Sequence, residues 1–101
     1  MTVEYCGFQW DDEENRLNKA KHKVSFETAV HVFEDPFLVE DFDEEHSSEE
    51  EERWEYIGMV REVMVLFVIA SDRDDTRRII SARKATAKEV RKYNEQNARN
   101  L

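Results

Sequence analysis

The sequence is poor in cysteine, proline and glycine. One cysteine in 101 residues cannot form an intramolecular disulfide or a multi-cysteine zinc site. One proline and two glycines exclude the collagen-like, low-complexity and linker classes. The longest apolar run is eight residues, from Val63 to Ala70, which is too short to cross a bilayer. The first residues include the acids Glu4, Asp11 and Asp12 and lack the basic and apolar regions of a signal peptide. We therefore expect a soluble cytoplasmic protein without a membrane partner.

The remaining composition suits one small domain. Hydrophobic residues make up 40% of the chain and aromatic residues 11%, which is enough for a small core. A chain of this length buries roughly 60–70% of its unfolded surface when it folds. We therefore expect a single domain over residues 1–101.

Acidic and basic residues are unevenly distributed along the chain. Residues 34–55 contain twelve acids and one arginine, a net charge of −11, whereas residues 73–101 contain nine basic residues and four acids, a net charge of +5. Salt confines each field to about 10 Å. The last third can therefore attract phosphate although the whole chain carries −9. Residues 42–52 predict an acidic loop, and the alternative for them is a metal or protein site.

The first half of the chain predicts one strand, two helices and a short strand. Alternating apolar residues over 3–10 indicate the strand. Acids at 11–14 occupy the positions that favour the start of a helix. Ser25 is a good N-cap for a second helix, which must end before Pro36 because the residue preceding proline avoids the helical region. Residues 37–41 indicate the short strand.

The second half predicts three strands and a helix. Residues 53–60 and 63–70 resemble paired strands, and the second lacks alternation, which implies cover on both faces by the C-terminal helix or a partner chain. A turn at 72–75 leads to a strand over 77–83. A capping box at Thr86 opens the last helix. The predicted order is β-α-α-β-β-β-β-α, an α+β domain with a small, mostly antiparallel sheet, two N-terminal helices and one C-terminal helix.

Histidines are the first candidates for chemistry, because the chain has no Gly-rich phosphate loop, HExxH motif or paired cysteine ligands. His22 stands between two lysines, which disfavour the imidazolium, at a helix end, which favours it. Taken alone, His22 also fits a structural or exposed role. His46 could bind a divalent cation with the acids at 43–45, although the spacing of an EF-hand is missing. His31 fits an ordinary surface position.

Arginines are the second group of candidates. Guanidinium groups suit bidentate recognition of phosphate, and Arg53, Arg78 and Arg83 lie on or beside predicted strands. The alternative is that they supply edge and solubility charge. On a regular strand Arg78 and Arg83 point to opposite faces. A shared site therefore requires a β-bulge, or a strand that ends before Arg83.

Short motifs follow one another along nearly the whole chain. They are Phe8-x-Trp10-Asp11, Asn18-x-x-Lys21-His22-x-Val24-Ser25-Phe26-Glu27-x-Ala29, Val32-Phe33-x-Asp35-Pro36, Glu52-Arg53, Ile57-Gly58 and Arg78-Ile79-Ile80-Ser81-Ala82-Arg83-x-Ala85-Thr86, with Glu89 and Tyr93 after them. This pattern resembles the BrnT toxins of bacterial type II toxin–antitoxin systems. Lys23 departs from it, because the family usually has glycine there, and glycine suits a left-handed residue that ends a helix.

The resemblance implies a RelE-like fold and an endoribonuclease that arrests growth by cleaving RNA. It also implies a BrnA-type antitoxin as partner, with DNA contacted only through that antitoxin. We expect acid–base chemistry and phosphate binding without a metal or cofactor, by Lys21, His22, Glu27, Arg53, Arg78 and Arg83. An alternative is a non-catalytic antitoxin-binding module that acts in transcriptional autoregulation of its operon. A third is an acidic protein that binds calcium or magnesium.

Overall fold

The fold is a sheet with helices on both faces. The computed structural model describes residues 1–73 and 75–99. Within them the strands are β1 (Thr2–Tyr5), β2 (Phe8–Asp11), β3 (Val39–Phe42), β4 (Glu52–Val60), β5 (Met64–Arg73) and β6 (Thr76–Lys84). The helices are α1 (Asp12–His22), α2 (Phe26–Ala29) and α3 (Ala87–Arg99), with a 3₁₀ helix at Val30–Glu34. None of these helices, within the described ranges, is long and apolar enough to cross a membrane.

The sheet is mixed. Its order is β1-β2-β6-β5-β4-β3, and every neighbouring pair is antiparallel except β2 and β6, which run parallel. The α+β class is therefore confirmed, but the predicted element order is wrong at its start. The single strand expected over residues 3–10 is a hairpin of β1 and β2. Cys6 and Gly7 form its turn with φ values of 47° and 86°, as a tight two-residue turn requires.

Local capping signals set both ends of α1. The carboxylate of Asp11 accepts hydrogen bonds from the backbone N–H groups of Glu13 and Glu14, at 2.9 and 3.1 Å. At the other end Lys23 adopts the left-handed conformation, and its N–H donates to the carbonyl of Lys19 at 2.9 Å. The helix thus ends in the geometry that glycine favours, although the residue is lysine.

The second predicted helix is shorter and tighter than its sequence pattern suggests. Ser25 accepts a hydrogen bond from the N–H of Thr28 at 3.1 Å and so caps α2 as expected. After one turn α2 passes into the 3₁₀ helix, which ends before Pro36. Phe26 and Ala29 are fully buried, so tertiary packing stabilises this short segment.

The core is divided between the two faces of the sheet. The larger cluster, which includes Trp10, Phe26 and Tyr56, packs under α2 and the 3₁₀ helix. The smaller one holds Ile57 and Tyr93, where α3 covers the other face. The residues of β5 alternate between these two clusters. On the face toward α3, however, Val65, Phe67 and Ile69 are only half-buried, so the expected cover of β5 on both faces is complete on one face and partial on the other.

The loops agree largely with the sequence pattern. The predicted acidic loop at 42–52 connects β3 to β4 and forms neither helix nor strand over residues 43–51. Arg61 and Glu62 turn β4 into β5 with φ values of 57° and 58°. The turn predicted at 72–75 includes Asp74, which lies outside the described residues.

Candidate active site on the open sheet face

The sheet face beneath α3 is only partly covered. α3 packs mainly on β4, which leaves the part of this face toward β2 and the start of β6 with less cover. The side chains in this open region are half-buried: Arg53, Glu55, Ile69, Arg78, Ser81 and Arg83. We call these six residues the arginine face.

Cross-strand pairing aligns two of the arginines. Arg53 of β4 lies opposite Ser71 of β5, and Ser71 lies opposite Arg78 of β6. Because adjacent strands are about 4.8 Å apart, the Cα atoms of the two arginines are about 10 Å apart. Ser71 is small and buried between them. Two long guanidinium side chains can therefore converge above it on one anion.

A β-bulge brings the third arginine to the same face. The pairing of β5 with β6 shifts by one residue between Ile69 and Ala70, which leaves Ile80 as the extra residue of β6. Without the bulge, Arg78 and Arg83 would point to opposite faces because they are five positions apart. A shared site for Arg78 and Arg83 required either a β-bulge or an early end of the strand, and the structure has the bulge.

Arg83 is held by α3. Its Nη1 and Nη2 donate to the two carboxylate oxygens of Glu89 at 2.8 and 2.9 Å, and its guanidinium lies 4.3 Å from the ring centre of Phe67. Glu89 also accepts from the N–H of Thr86 and so completes the capping box. The hydrogen bonds with Glu89 raise the pKa of Arg83. Arginine has five N–H donors, so this pair leaves others for a ligand.

The other two arginines are less engaged. The Nε of Arg53 lies 3.5 Å from a carboxylate oxygen of Glu51, in the acidic loop. Arg78 forms no salt bridge within residues 1–73 and 75–99. These two side chains are therefore more available to an anionic ligand than Arg83.

Glu55 is the residue of this face that the sequence analysis missed. It follows Arg53 by two positions on β4 and lies opposite Ile69. Burial raises the pKa of Glu55, and the nearby carboxylates of Asp43 and Asp41 raise it further. Strand alternation was the available signal, since a strand that turns Arg53 toward a site turns Glu55 toward it as well.

The end of α1 lies beside β6. The amide of Asn18 donates to the carbonyl of Ala82 at 2.7 Å, and the N–H of Ala82 donates back to it at 3.3 Å. His22 follows Asn18 by four residues and so lies on the same side of the helix. It is half-buried and Lys21 is exposed. In the described part of the chain, neither makes a hydrogen bond or ion pair with the arginine face.

Glu27 lies on the other side of the sheet. Its carboxylate accepts a hydrogen bond from the amide of Asn15 at 2.7 Å. The same helix, α2, buries Phe26 and Ala29 in the core on the face opposite the arginines. The structure thus brings Arg53, Arg78 and Arg83 together and leaves Glu27 apart.

The acidic loop and the other histidines form small local pairs. The Nδ1 of His46 lies 3.0 Å from Asp43, and that of His31 lies 3.1 Å from Glu34. No three metal-ligating side chains come together within the ranges that the structure describes. These residues therefore give no support to the third alternative, an acidic protein that binds calcium or magnesium.

A cavity of about 890 Å³ lies by the C-terminal half of α3. Its lining includes Phe37, Met59 and Tyr93, and the hydroxyl of Tyr93 donates to Asp35 at 2.7 Å. Burial and this carboxylate raise the pKa of Tyr93. None of the predicted site residues lines the cavity, so we place the candidate site on the arginine face.

The fold and the arginine face define a small α+β protein that gathers three arginines on one face of its sheet. Residues 10–89 match the family described as the ribonuclease toxin BrnT of type II toxin–antitoxin systems. The chain belongs to this family. The resemblance that the sequence motifs indicate is thereby confirmed.

A solved structure shares the fold. The crystal structure of the ribonuclease toxin BrnT from Brucella abortus has 22% sequence identity to this chain and a TM-score of 0.57. The similarity covers 76% of this chain and 92% of that one. No curated protein sequence matches the chain. The comparison supports the α+β architecture, whereas a RelE-like topology stays a prediction.

Proposed function

We propose that this protein is an endoribonuclease that cleaves RNA at the arginine face by metal-independent acid–base chemistry, and so arrests growth when its antitoxin is absent. The observation that carries the proposal is the placement of Arg53, Arg78 and Arg83 on one open face of the sheet. Membership of a ribonuclease toxin family supports RNA as the anionic ligand.

The chemistry that we propose uses the 2′-hydroxyl of RNA as the nucleophile. One group removes its proton, another protonates the leaving 5′-oxygen, and negative charge grows on the phosphate oxygens in between. Guanidinium groups placed around that phosphate stabilise the charge. Lys21 and His22, at the end of α1, add a cation and an acid–base group. Glu27 has no part in this scheme, because it lies across the sheet.

Cleavage of a labelled single-stranded RNA in EDTA tests the proposal. Loss of one charge-stabilising donor typically costs roughly a hundredfold in rate, so Arg53→Ala, Arg78→Ala and Arg83→Ala should each slow cleavage about that much, and His22→Ala should also suppress it. Arg91→Ala, at an exposed position on α3, removes the same charge and should leave the rate unchanged. Wild-type rates in the Arg53→Ala/Arg78→Ala double variant would refute the site. Intact RNA with the wild-type protein, with and without ribosomes, would refute the activity.

We propose a BrnA-type antitoxin as the partner, with DNA contacted only through it. The family is defined by type II systems, in which the antitoxin is a protein. A non-catalytic, autoregulatory role is the second candidate, favoured by the carboxylate of Glu89 on Arg83. Inducible expression separates the two: growth arrest that the adjacent small protein relieves, and that Arg78→Ala abolishes, indicates catalysis.

A further inference from the structure

Glu55 occupies the middle of the arginine face. The row formed by Glu55, Ile69 and Ser81 lies between the row that carries Arg53 and Arg78 and the row that carries Arg83. Successive rows are about 7 Å apart, because two residues of a strand rise that far. A phosphate held by arginines from both outer rows therefore lies next to the Glu55 carboxylate.

Two of the acids beside this region already have cationic partners. Asp41 forms an ion pair with Lys92, and Glu89 forms the bidentate pair with Arg83. Glu55 makes neither a hydrogen bond through its side chain nor a salt bridge in the portion of the chain described by the structure. Its carboxylate oxygens are therefore available to accept a proton.

Charged groups face Glu55 from each element around it. Burial raises its pKa above the ordinary value of 4.5, Asp43 and Asp41 add to the rise, Lys92 opposes it, and Glu89 adds a smaller rise. The cations of Arg53 on the same strand and Arg83 on β6 border the same face. A carboxylate whose pKa lies above its ordinary value is a stronger base and remains ionised at neutral pH as long as the pKa stays below 7.

We infer that Glu55 is the catalytic base that takes the proton of the attacking 2′-hydroxyl. The inference rests on the function proposed above. The proton passes from the 2′-oxygen to a carboxylate oxygen, the bond from the 2′-oxygen to phosphorus forms, and the bond from phosphorus to the 5′-oxygen breaks. The 5′-oxygen takes a proton from the acid–base group proposed above, His22. The products are a 2′,3′-cyclic phosphate and a 5′-hydroxyl, and water then restores both side chains to their starting protonation.

The pH profile of cleavage by Glu55→Gln tests this assignment. General-base catalysis contributes about a hundredfold or more, so the variant should be slower by at least that factor at neutral pH. The wild-type rate should rise through an acidic limb that lies above the ordinary glutamate range, and this limb should be absent in the variant. Affinity for an uncleavable RNA with a 2′-deoxy nucleotide at the cleaved position should not fall, because no binding arginine is removed.

Two controls keep the result interpretable. Glu40→Gln makes the same charge change at an exposed position of β3, opposite Tyr56 and thus on the other face of the sheet, and should keep the wild-type rate and profile. Glu55→Gln should fold, since the folded state disfavours the ionised carboxylate that the substitution removes. Its melting temperature at neutral pH should equal or exceed that of the wild type.

Each outcome has a different consequence. If the wild type cleaves RNA and Glu55→Gln cleaves it at the same rate with the same acidic limb, then Glu55 is not the base, and the proposed function stands. A loss confined to RNA affinity also overturns the role of Glu55, because a base acts on the rate. A wild-type protein that does not cleave RNA under any condition overturns the proposed function and the role of Glu55 with it.

Discussion

Lys23 is a residue with a side chain in a backbone conformation that favours glycine. It ends α1 at φ 64° and ψ 19°, a left-handed conformation that costs a residue with a Cβ about 1 kcal/mol relative to glycine. We expect Lys23→Gly to raise the free energy of unfolding by about 1 kcal/mol, and the melting temperature by about 4–8 °C for a domain of this size. Thermal and urea unfolding followed by circular dichroism measure both.

A neighbouring substitution provides the control for Lys23. Lys21 lies within the last turn of α1, where the backbone is helical and glycine is less favourable than a helix-forming residue such as lysine. Lys21→Gly should therefore destabilise the protein by up to about 1 kcal/mol. Equal effects of the two substitutions would contradict the explanation from backbone conformation.

The contact between β6 and α3 depends on the ionisation of Glu89. Its hydrogen bonds with Arg83 lower its pKa, and the N–H of Thr86 lowers it further. The folded state therefore binds this proton less tightly than the unfolded state. The stabilisation is fully present above the ordinary pKa of 4.5 and is lost as the pH falls through the lower, folded value.

We therefore expect Glu89→Gln to destabilise the protein by about 1.5–3 kcal/mol at pH 7, the usual contribution of hydrogen bonds to charged groups. The difference from the wild type should shrink steadily as the pH approaches 3. Urea unfolding at a series of pH values measures it. A difference that is constant from pH 7 to pH 3 would show that packing, rather than charge, accounts for the effect.

For the molecule as a whole, the acidic loop places negative charge beside the arginine face, where we expect it to weaken the proposed binding of RNA. The loop begins and ends beside Arg53, because the N–H of Asp43 donates to the Arg53 carbonyl at 2.8 Å and Glu51 pairs with its side chain. The negative charges of this loop therefore act on the end of the arginine face that carries Arg53, because salt screens charges only beyond about 10 Å. The net charge of −9 thus matters less than its position.

Replacing four exposed loop acids tests this. The quadruple change of Glu44, Glu45, Glu49 and Glu50 to Gln should raise RNA affinity several-fold at low salt, and the gain should vanish at high salt. Fluorescence anisotropy with an uncleavable RNA measures the affinity. The matched control neutralises four exposed acids elsewhere, Glu4, Glu34, Glu62 and Glu95, and should give a smaller gain. Equal gains would assign the effect to net charge.

Local sequence signals predicted most of the elements. The caps at Asp11, Ser25 and Thr86 act through hydrogen bonds that span only a few residues, so their effect can be derived from neighbouring positions. The opening hairpin was not predicted, although the apolar positions change from odd (Val3, Tyr5) to even (Phe8, Trp10), which a single regular strand does not allow. The turn at Cys6 and Gly7 lies where this change occurs.

The candidate site was predicted in its residue types but not in its arrangement. Arginines suited to phosphate were evident from the sequence, whereas their common face depends on the extra residue Ile80 in β6. Glu55 could have been grouped with Arg53 by alternation, but its surroundings come from β3 and α3, which lie far from it along the chain. Glu27 lies next to His22 in the sequence motif and yet across the sheet from the arginines.

By itself the sequence determined the α+β class, the start of α1, the strand β5 and the cationic character of the last third, since each follows from local hydrogen bonding, hydrophobic periodicity or composition. Only the tertiary structure decided the strand order, the bulge and the residues that share the open face. The reason is that hydrogen bonds such as the one between Asn18 and Ala82 join residues that are far apart in the chain. Which residues pair in this way depends on how the whole core packs.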